Sequence, residues 1–276
     1  MKKPKYIDIS IFIVNRIFNW RFWIAGLTKK SKLAKKIIDK MLFEDDEIVI
    51  VPNTINIDKK IESEGSEFLP TDVLKDVIKR SEDIVIMDKC LCRTSNDCQD
   101  YPQDIGCIFL GPTSRKIPNH VAHKATVEEA LDQIDRADAA GLSHLIGRNK
   151  IDAVWMNIHP GKGLLTICHC CPCCCLWKVY PNLNNEISDK IERLDGVNVK
   201  LHEEKCKKCL KCLDNICMFN AINLINNKIS IDYDNCKGCG LCVNTCSFNA
   251  ITINYIEESI DNIVNKMENL IEIEEI

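Results

Sequence analysis

"CKKCLKCLDNICMFNAINLI" (206–225) and "CKGCGLCVNTCSFNAITIN" (236–254) are one pattern written twice. The first three cysteines recur at an offset of 30 residues; the fourth, with the Ala-Ile after it, recurs at 29. Both copies end in Cys-x3-Ala-Ile and run on into a strand pattern. A duplication of this kind marks a pseudo-symmetric domain.

The spacing carries a chemistry. A tight Cys-x2-Cys-x2-Cys loop swings three thiolates toward three iron corners of a cubane, with its backbone N–H groups aimed at the sulfurs. The fourth corner is supplied from elsewhere, so each copy lends its last cysteine to the other. That rule groups Cys206, Cys209, Cys212 and Cys246, and separately Cys236, Cys239, Cys242 and Cys217. Gly238 and Gly240 are read as letting the second loop approach its cluster closely. Residues 199–255 resemble bacterial-type ferredoxins that hold two [4Fe–4S] clusters. Two departures stand out: Met218 and Ser247 replace the proline that the resemblance implies, and four residues rather than three precede Cys217. They bear on loop shape and potential, not on ligation. A zinc module or free thiols would not need eight cysteines matched in order and spacing.

With 276 residues, the chain has room for one large domain or two smaller ones. Charged residues make up 28% and the hydrophobic class 46%, which suits a folded chain. The 18 cysteines are clustered as metal ligands are, not spaced as disulfide staples. Metal ligation needs reduced thiolates and hence a reducing interior, and the start shows no secretory pattern, so a cytoplasmic location is expected. The net charge of −4 is unevenly placed: residues 1–40 carry eleven Lys or Arg against two Asp, and residues 256–276 carry seven acids against one Lys. The expected organisation is α+β. It comprises a basic, aromatic-rich helical arm (1–45), a cysteine-rich mixed α/β domain (46–198), the ferredoxin-like pseudo-two-fold domain (199–255) and an acidic helix (256–276). Ile256, Ile260, Ile263, Val264 and Met267 give that last segment its helical spacing. In the arm, Asn15, Arg16, Asn19 and Arg21 interrupt the apolar run, so no membrane span is expected. Lysines at 29, 30, 32, 35 and 36 beside Trp20, Phe22 and Trp23 fit a protein surface better than lipid, although a membrane surface suits the same pattern.

In the middle of the chain, "EIVIVP" (47–52) and "DIVIMD" (83–88) read as buried strands, with a helix in "PTDVLKDVIKRS" between them. "ATVEEALDQIDRADAAG" (125–141) reads as a helix opened by a Thr126/Glu129 capping box and stopped at Gly141. "AVWMNI" and "LLTICHC" read as strands joined through the turn "HPGKG", which lacks the phosphate-loop frame.

Ten cysteines lie upstream of the duplication: Cys90, Cys92, Cys98 and Cys107, then Cys168, Cys170, Cys171, Cys173, Cys174 and Cys175 in "CHCCPCCC". In an extended segment, residues two apart face one way and adjacent residues face oppositely. Cys90 with Cys92, Cys168 with Cys170 and Cys173 with Cys175 are thus expected to act as pincers, and the run to form a shared edge between metal–sulfur sites. Pro172 breaks the run. Ten ligands suffice for two four-thiolate clusters or for one larger non-cubane cluster, with zinc as the alternative occupant. Cys90 to Arg93, "GLSH" (141–144) and Cys170 to Cys175, placed ahead of a ferredoxin module, are similar to a group of 4Fe–4S binding proteins of anaerobic archaea and bacteria. That resemblance implies iron–sulfur redox work and one or two further clusters. His169 is expected to support a cluster from behind its ligands, and His144 and Arg148 to offset cluster charge.

No nucleotide fingerprint, nucleophile elbow or acid–base constellation is present, so any catalysis is metal-centred. The expected function is electron transfer between a redox partner protein and upstream clusters, with no nucleic-acid partner. The alternatives are a cluster-based oxidoreductase acting on a disulfide, sulfur species or other small substrate, and a reductive activation or maturation factor.

Overall fold

The computed structural model describes residues 18–53 and 70–255, together with Ile9, Phe12, Ile13 and Arg16. The acidic segment 256–276 lies outside the described residues. Helix α1 (Arg21–Lys30) is followed at once by α2 (Lys32–Leu42), whose N-cap Ser31 accepts from the Ala34 amide at 3.2 Å. A mixed sheet of seven strands follows, in the order β4-β2-β3-β6-β5-β1-β7. These are β1 (Glu47–Val51), β2 (Ile84–Met87), β3 (Ile108–Leu110), β4 (Ala122–Lys124), β5 (Ser143–Arg148), β6 (Leu165–Cys170) and β7 (Ile191–Arg193). Every pairing is antiparallel except β1 with β7.

Strand alternation assigns the two faces. Val49, Val51, Ile146 and Ile167 pack under α3 (Pro70–Arg80) and, after the short α4 (Leu91–Ser95), under α5 (Val127–Ala139). Ile48, Ile50 and Leu145 face the other way, toward Ala25 of α1 and the 3₁₀ segment Leu176–Asn182. Both expected strands and the helix between them form, and α5 carries the Thr126/Glu129 capping box in full. Gly141 takes a φ of 73° just past the helix end, as a left-handed stop requires.

One expectation fails. "AVWMNI" is not a strand: residues Lys150–Met156 form helix α6, ended by Asn157 in the left-handed conformation. Val154 and Trp155 favour strands by propensity, but packing of Met156 and Ile158 against Phe109 and Val85 overrides it.

The C-terminal module consists of two small antiparallel sheets. β8 (Val197–Leu201) pairs with β11 (Ile251–Tyr255), and β9 (Ile222–Ile225) with β10 (Lys228–Ile231); α7 (Leu241–Thr245) lies between β10 and β11. The module sits against the large sheet. Met218, Phe219, Cys239 and Leu241 share one packed core with Cys170, Cys175, Trp177 and Tyr180, and the Phe219 and Tyr180 rings meet edge to face at 5.0 Å.

Candidate metal centres

In the C-terminal module, Cys206, Cys209, Cys212 and Cys246 wall a cavity of about 20 Å³, and Cys236, Cys239, Cys242 and Cys217 wall another of about 20 Å³. The fold thus brings each copy's loop to the other copy's last cysteine. The Ala221 amide donates to Cys217 Sγ at 3.2 Å, and the Ala250 amide to Cys246 Sγ at 3.4 Å. Asn220 and Asn249 make these bonds possible by taking φ values of 54° and 50° just before each alanine. The extra residue before Cys217 is absorbed by a further left-handed turn at Asn215, φ 58°. Met218 is buried in the interface with the upstream domain, which gives that position a packing role.

Gly238 and Gly240 answer to packing against the upstream part of the chain. A Cβ at Gly238 would meet Arg193 Cδ of β7 at 3.0 Å, besides Val197 Cγ1 of β8 at 2.8 Å, and one at Gly240 would meet Pro52 Cβ at 3.3 Å. The chemistry of the donors fits a cationic occupant. Burial first, and then neighbouring thiols, push Cys239 and Cys242 well above the ordinary thiol range. Such sulfurs become thiolates only when a metal supplies the missing positive charge. The eight thiols would hold two [4Fe–4S] clusters, which when bound supply one-electron redox chemistry.

The ten upstream cysteines fall into two sets. Cys90, Cys92, Cys107, Cys168, Cys170 and Cys175 line a cavity of about 390 Å³ on the α1 side of the sheet, and Cys171 of the second set also reaches its wall. Cys107 precedes β3 and meets Cys168 of β6 at an Sγ–Sγ distance of 3.4 Å; Cys170 and Cys175 are 2.9 Å apart. A hydrogen bond donated by the Cys92 thiol pulls Cys90 down to about 6, and holding its proton in that bond, together with burial, pushes Cys92 up. The second set is Cys98, Cys171, Cys173 and Cys174, whose sulfurs all lie within 4.8 Å of one another. Cys171 thus belongs to the four-thiol group while still touching the wall of the cavity that Cys170 lines. The pincers at 90/92 and 168/170 each serve one cavity, but 173/175 does not. After Pro172 the chain turns, so Cys173 joins Cys98 while Cys175 joins Cys170.

Polar groups brace these sets. Arg93, 1% exposed, donates to the carbonyls of Pro102, His169 and Ile105, tying the loop that carries Cys98 to β6. His144 links Asp138 Oδ1 at 2.8 Å to His169 Nδ1 at 2.9 Å, and all three are buried. Burial, then His144 and Arg93, depress the His169 pKa far below the ordinary imidazole range. His169 thus stands behind the cysteines as a neutral, positioned ring. His144 is its bridge to α5. Arg148 instead donates to the Asp45 carbonyl at 2.7 Å and is drawn away from the thiols.

Two residues at the large cavity escaped the sequence reading. Arg21 lies 4.0 and 4.3 Å from the ring centres of Phe18 and Phe22 and brings a cation to the wall. Asp152 accepts from Asn149 at 2.9 Å and Trp155 at 3.1 Å, and burial raises its pKa to about 6. Their one sequence signal is Asn149 three residues before Asp152, a helix-start pattern. The α1 lysines are partly spent on the chain itself: Lys29 donates to Pro181 O at 2.8 Å, and Lys35 of α2 pairs with Glu186.

Two small cavities, each walled by a three-cysteine loop and a cysteine from the opposite copy, define an iron–sulfur electron-transfer module of ferredoxin type. The family described as a 4Fe-4S binding domain matches residues 229–252. The chain is 49% identical over 69 residues to a protein named pyruvate synthase subunit PorD from Methanocaldococcus jannaschii, covering 25% of this chain and 79% of the relative. A protein of the same name from Methanothermobacter marburgensis is 46% identical over 44 residues, 16% of this chain and 53% of that relative. The chain thus belongs to the ferredoxin-type 4Fe-4S family that includes these subunits. No solved structure matches it. Among the described residues, no helix is long and apolar enough to cross a membrane.

Proposed function

We propose that this chain is an electron conduit with an exposed entry at one end and a thiol-lined cavity at the other. In this reading Cys206, Cys209, Cys212 and Cys246 ligate an outer [4Fe–4S] cluster, and Cys236, Cys239, Cys242 and Cys217 an inner one. The six thiols of the large cavity ligate a further iron–sulfur cluster. The observation that carries the proposal is an asymmetry of surroundings. Cys209 is exposed among the exposed lysines 205, 207, 208 and 211, whereas Cys239 is buried in the core that also contains Cys170 and Cys175. The outer site is open to an acidic redox partner; the inner site adjoins the cavity. The relatives' name suggests the kind of partner, a larger oxidoreductase of which a ferredoxin-type chain is one subunit. A reducing, cytoplasmic setting suits so many free thiols.

Redox titration of the anaerobically isolated protein, followed by electron paramagnetic resonance, tests this. Two interacting [4Fe–4S] signals plus a third, distinct iron–sulfur signal are expected. Iron and sulfide sufficient for the two C-terminal clusters alone would remove the inner terminus from the scheme.

The size of the large cavity favours a second reading, cluster-based reduction of a small substrate. By the same measure it is about 390 Å³ against about 20 Å³ for each ferredoxin cavity, and Asp152 adds a protonatable group. Turnover of a disulfide or sulfur compound by the reduced protein would establish it.

A further inference from the structure

We propose that Cys98, Cys171, Cys173 and Cys174 hold a single tetrahedrally coordinated metal ion of the zinc class, and no cluster. The four sulfurs converge too closely for a cubane. Contacts of 3.6 Å for Cys98–Cys173, 3.5 Å for Cys171–Cys173 and 3.3 Å for Cys173–Cys174 lie within a set whose members are all within 4.8 Å of one another. Four thiolates bound to one ion at about 2.3 Å stand about 3.8 Å apart, the edge of the tetrahedron. In a cubane each thiolate is bonded to its own iron at a separate corner, which spreads the ligands further. The chain supplies its own comparison. Among the described residues, this is the one group of His, Cys, Asp or Glu side chains so contracted, and neither ferredoxin set meets the same limit.

The surroundings are those of a closed site. Cys98, Cys171 and Cys174 are buried, and Ile105, Ala137 and Leu142 pack around them. Structural zinc takes four protein ligands and leaves no open position, which suits four buried or half-buried thiols, whereas catalytic zinc keeps a position for water or substrate. The turn after Pro172 brings Cys173 and Cys174 back to Cys171, and the Cys174 amide donates to Cys171 Sγ at 3.4 Å. Cys98 comes from the other chain segment, between Cys92 and Cys107. An ion here therefore clamps the segment that carries three of the six cavity thiols onto the strand and turn that carry the other three. Its role is to hold the large cavity in shape, and it stands independently of what that cavity binds.

Metal analysis of the full-length protein, isolated anaerobically from cells supplied with both zinc and iron, tests the assignment. One zinc per chain is expected, with X-ray absorption at the zinc edge showing four sulfur neighbours at about 2.3 Å. Cys98→Ser and Cys173→Ser should each lose that zinc while acid-labile sulfide stays at the wild-type level. One iron lost without sulfide in the same variants would support the same mononuclear site with ferrous iron as its occupant. Loss of iron and sulfide together in equal amounts would overturn the proposal, as would a metal–metal distance at the zinc edge of the wild-type protein. If neither variant folds, the wild-type absorption spectrum and metal-to-sulfide ratio decide alone: zinc absent and iron equal to sulfide refutes it.

Discussion

Lys208 and Leu210 hold φ values of 53° and 61°, and their counterparts in the second loop, Gly238 and Gly240, hold 67° and 81°. The loop conformation is thus the same with and without a Cβ, at a cost of roughly 1 kcal/mol for each non-glycine residue. Glycine is required only where the loop faces inward. Gly238→Ala should destabilise the protein by about 1–3 kcal/mol through its contact with Val197, while Leu210→Gly stays within about 1 kcal/mol of wild type. Thermal loss of cluster absorbance under anaerobic conditions measures both; equal effects would contradict the account. Cys246→Ser should damage the centre of Cys206, Cys209 and Cys212, seen as loss of one of the two ferredoxin-type resonance signals. Damage confined to the centre of Cys236, Cys239 and Cys242 would show ligation within each copy instead. Asp46 illustrates a third residue-scale effect. Burial raises its pKa to about 7, so the folded state favours the neutral acid. The stability this gives is present below about pH 4 and lost as pH rises through 7. Relative to Asp46→Asn, the wild type should therefore lose up to about 4 kcal/mol between these limits, three pKa units at 1.36 kcal/mol each. Apparent melting temperatures of the pair at pH 5 and pH 8 report it; a pH-independent difference would mean that Asp46 is ionised throughout.

At the scale of elements, α1 is a wall and not only an arm. Arg21 and Ala25, with Phe18 of the 3₁₀ turn just before the helix, border the large cavity, and Thr28 Oγ1 accepts from the Asn184 amide at 2.9 Å while donating to Ala25 O at 2.6 Å. Ala25→Asp places a carboxylate against that wall and should speed release of upstream iron to a chelator at least several-fold, leaving the eight C-terminal ligands loaded. Iron release without any change in rate would detach α1 from the cavity. Much of this architecture is legible in the chain. The capping box at Thr126, the strand runs at 47–52 and 83–88 and the duplicated loops are local patterns with local causes. Helix α6 is not, because Val154 and Trp155 favour a strand and only the packing of Met156 against Phe109 decides otherwise. The division of the ten upstream thiols is half legible. Strand alternation puts Cys168 and Cys170 on one face, but the turn that sends Cys173 one way and Cys175 the other is a matter of backbone direction after Pro172. Arg21 and Asp152 come to the cavity from segments far apart in sequence, and no spacing rule connects them to cysteine.

At the scale of the whole molecule, charge and exposure give the proposed conduit a direction. Lysines 205, 207, 208 and 211 surround the outer thiols, while most contacts of the inner loop are internal. Reversing Lys207, Lys208 and Lys211 to Glu should slow electron exchange with an acidic partner by tenfold or more at low salt. The difference should shrink as ionic strength rises, because exposed charges are screened over about 8 Å at 0.15 M. Stopped-flow reduction at two salt concentrations measures this, and a salt-independent rate would place docking elsewhere. The pleat of β6 has a consequence of another kind. Cys168 and Cys170 share one face of the strand and Cys171 follows just past its end, so β6, held by hydrogen bonds to β3 and β5, fixes where these thiols point before any metal arrives. Sulfur offers little chemical basis for telling one metal from another, and here the assignment is geometric. Inserting a single residue within β6 would exchange the two faces and scramble both ligand sets at once. If the upstream thiols bind metal as proposed, the fidelity of that loading is a property of strand register, guarded by the same backbone bonds that hold the sheet together.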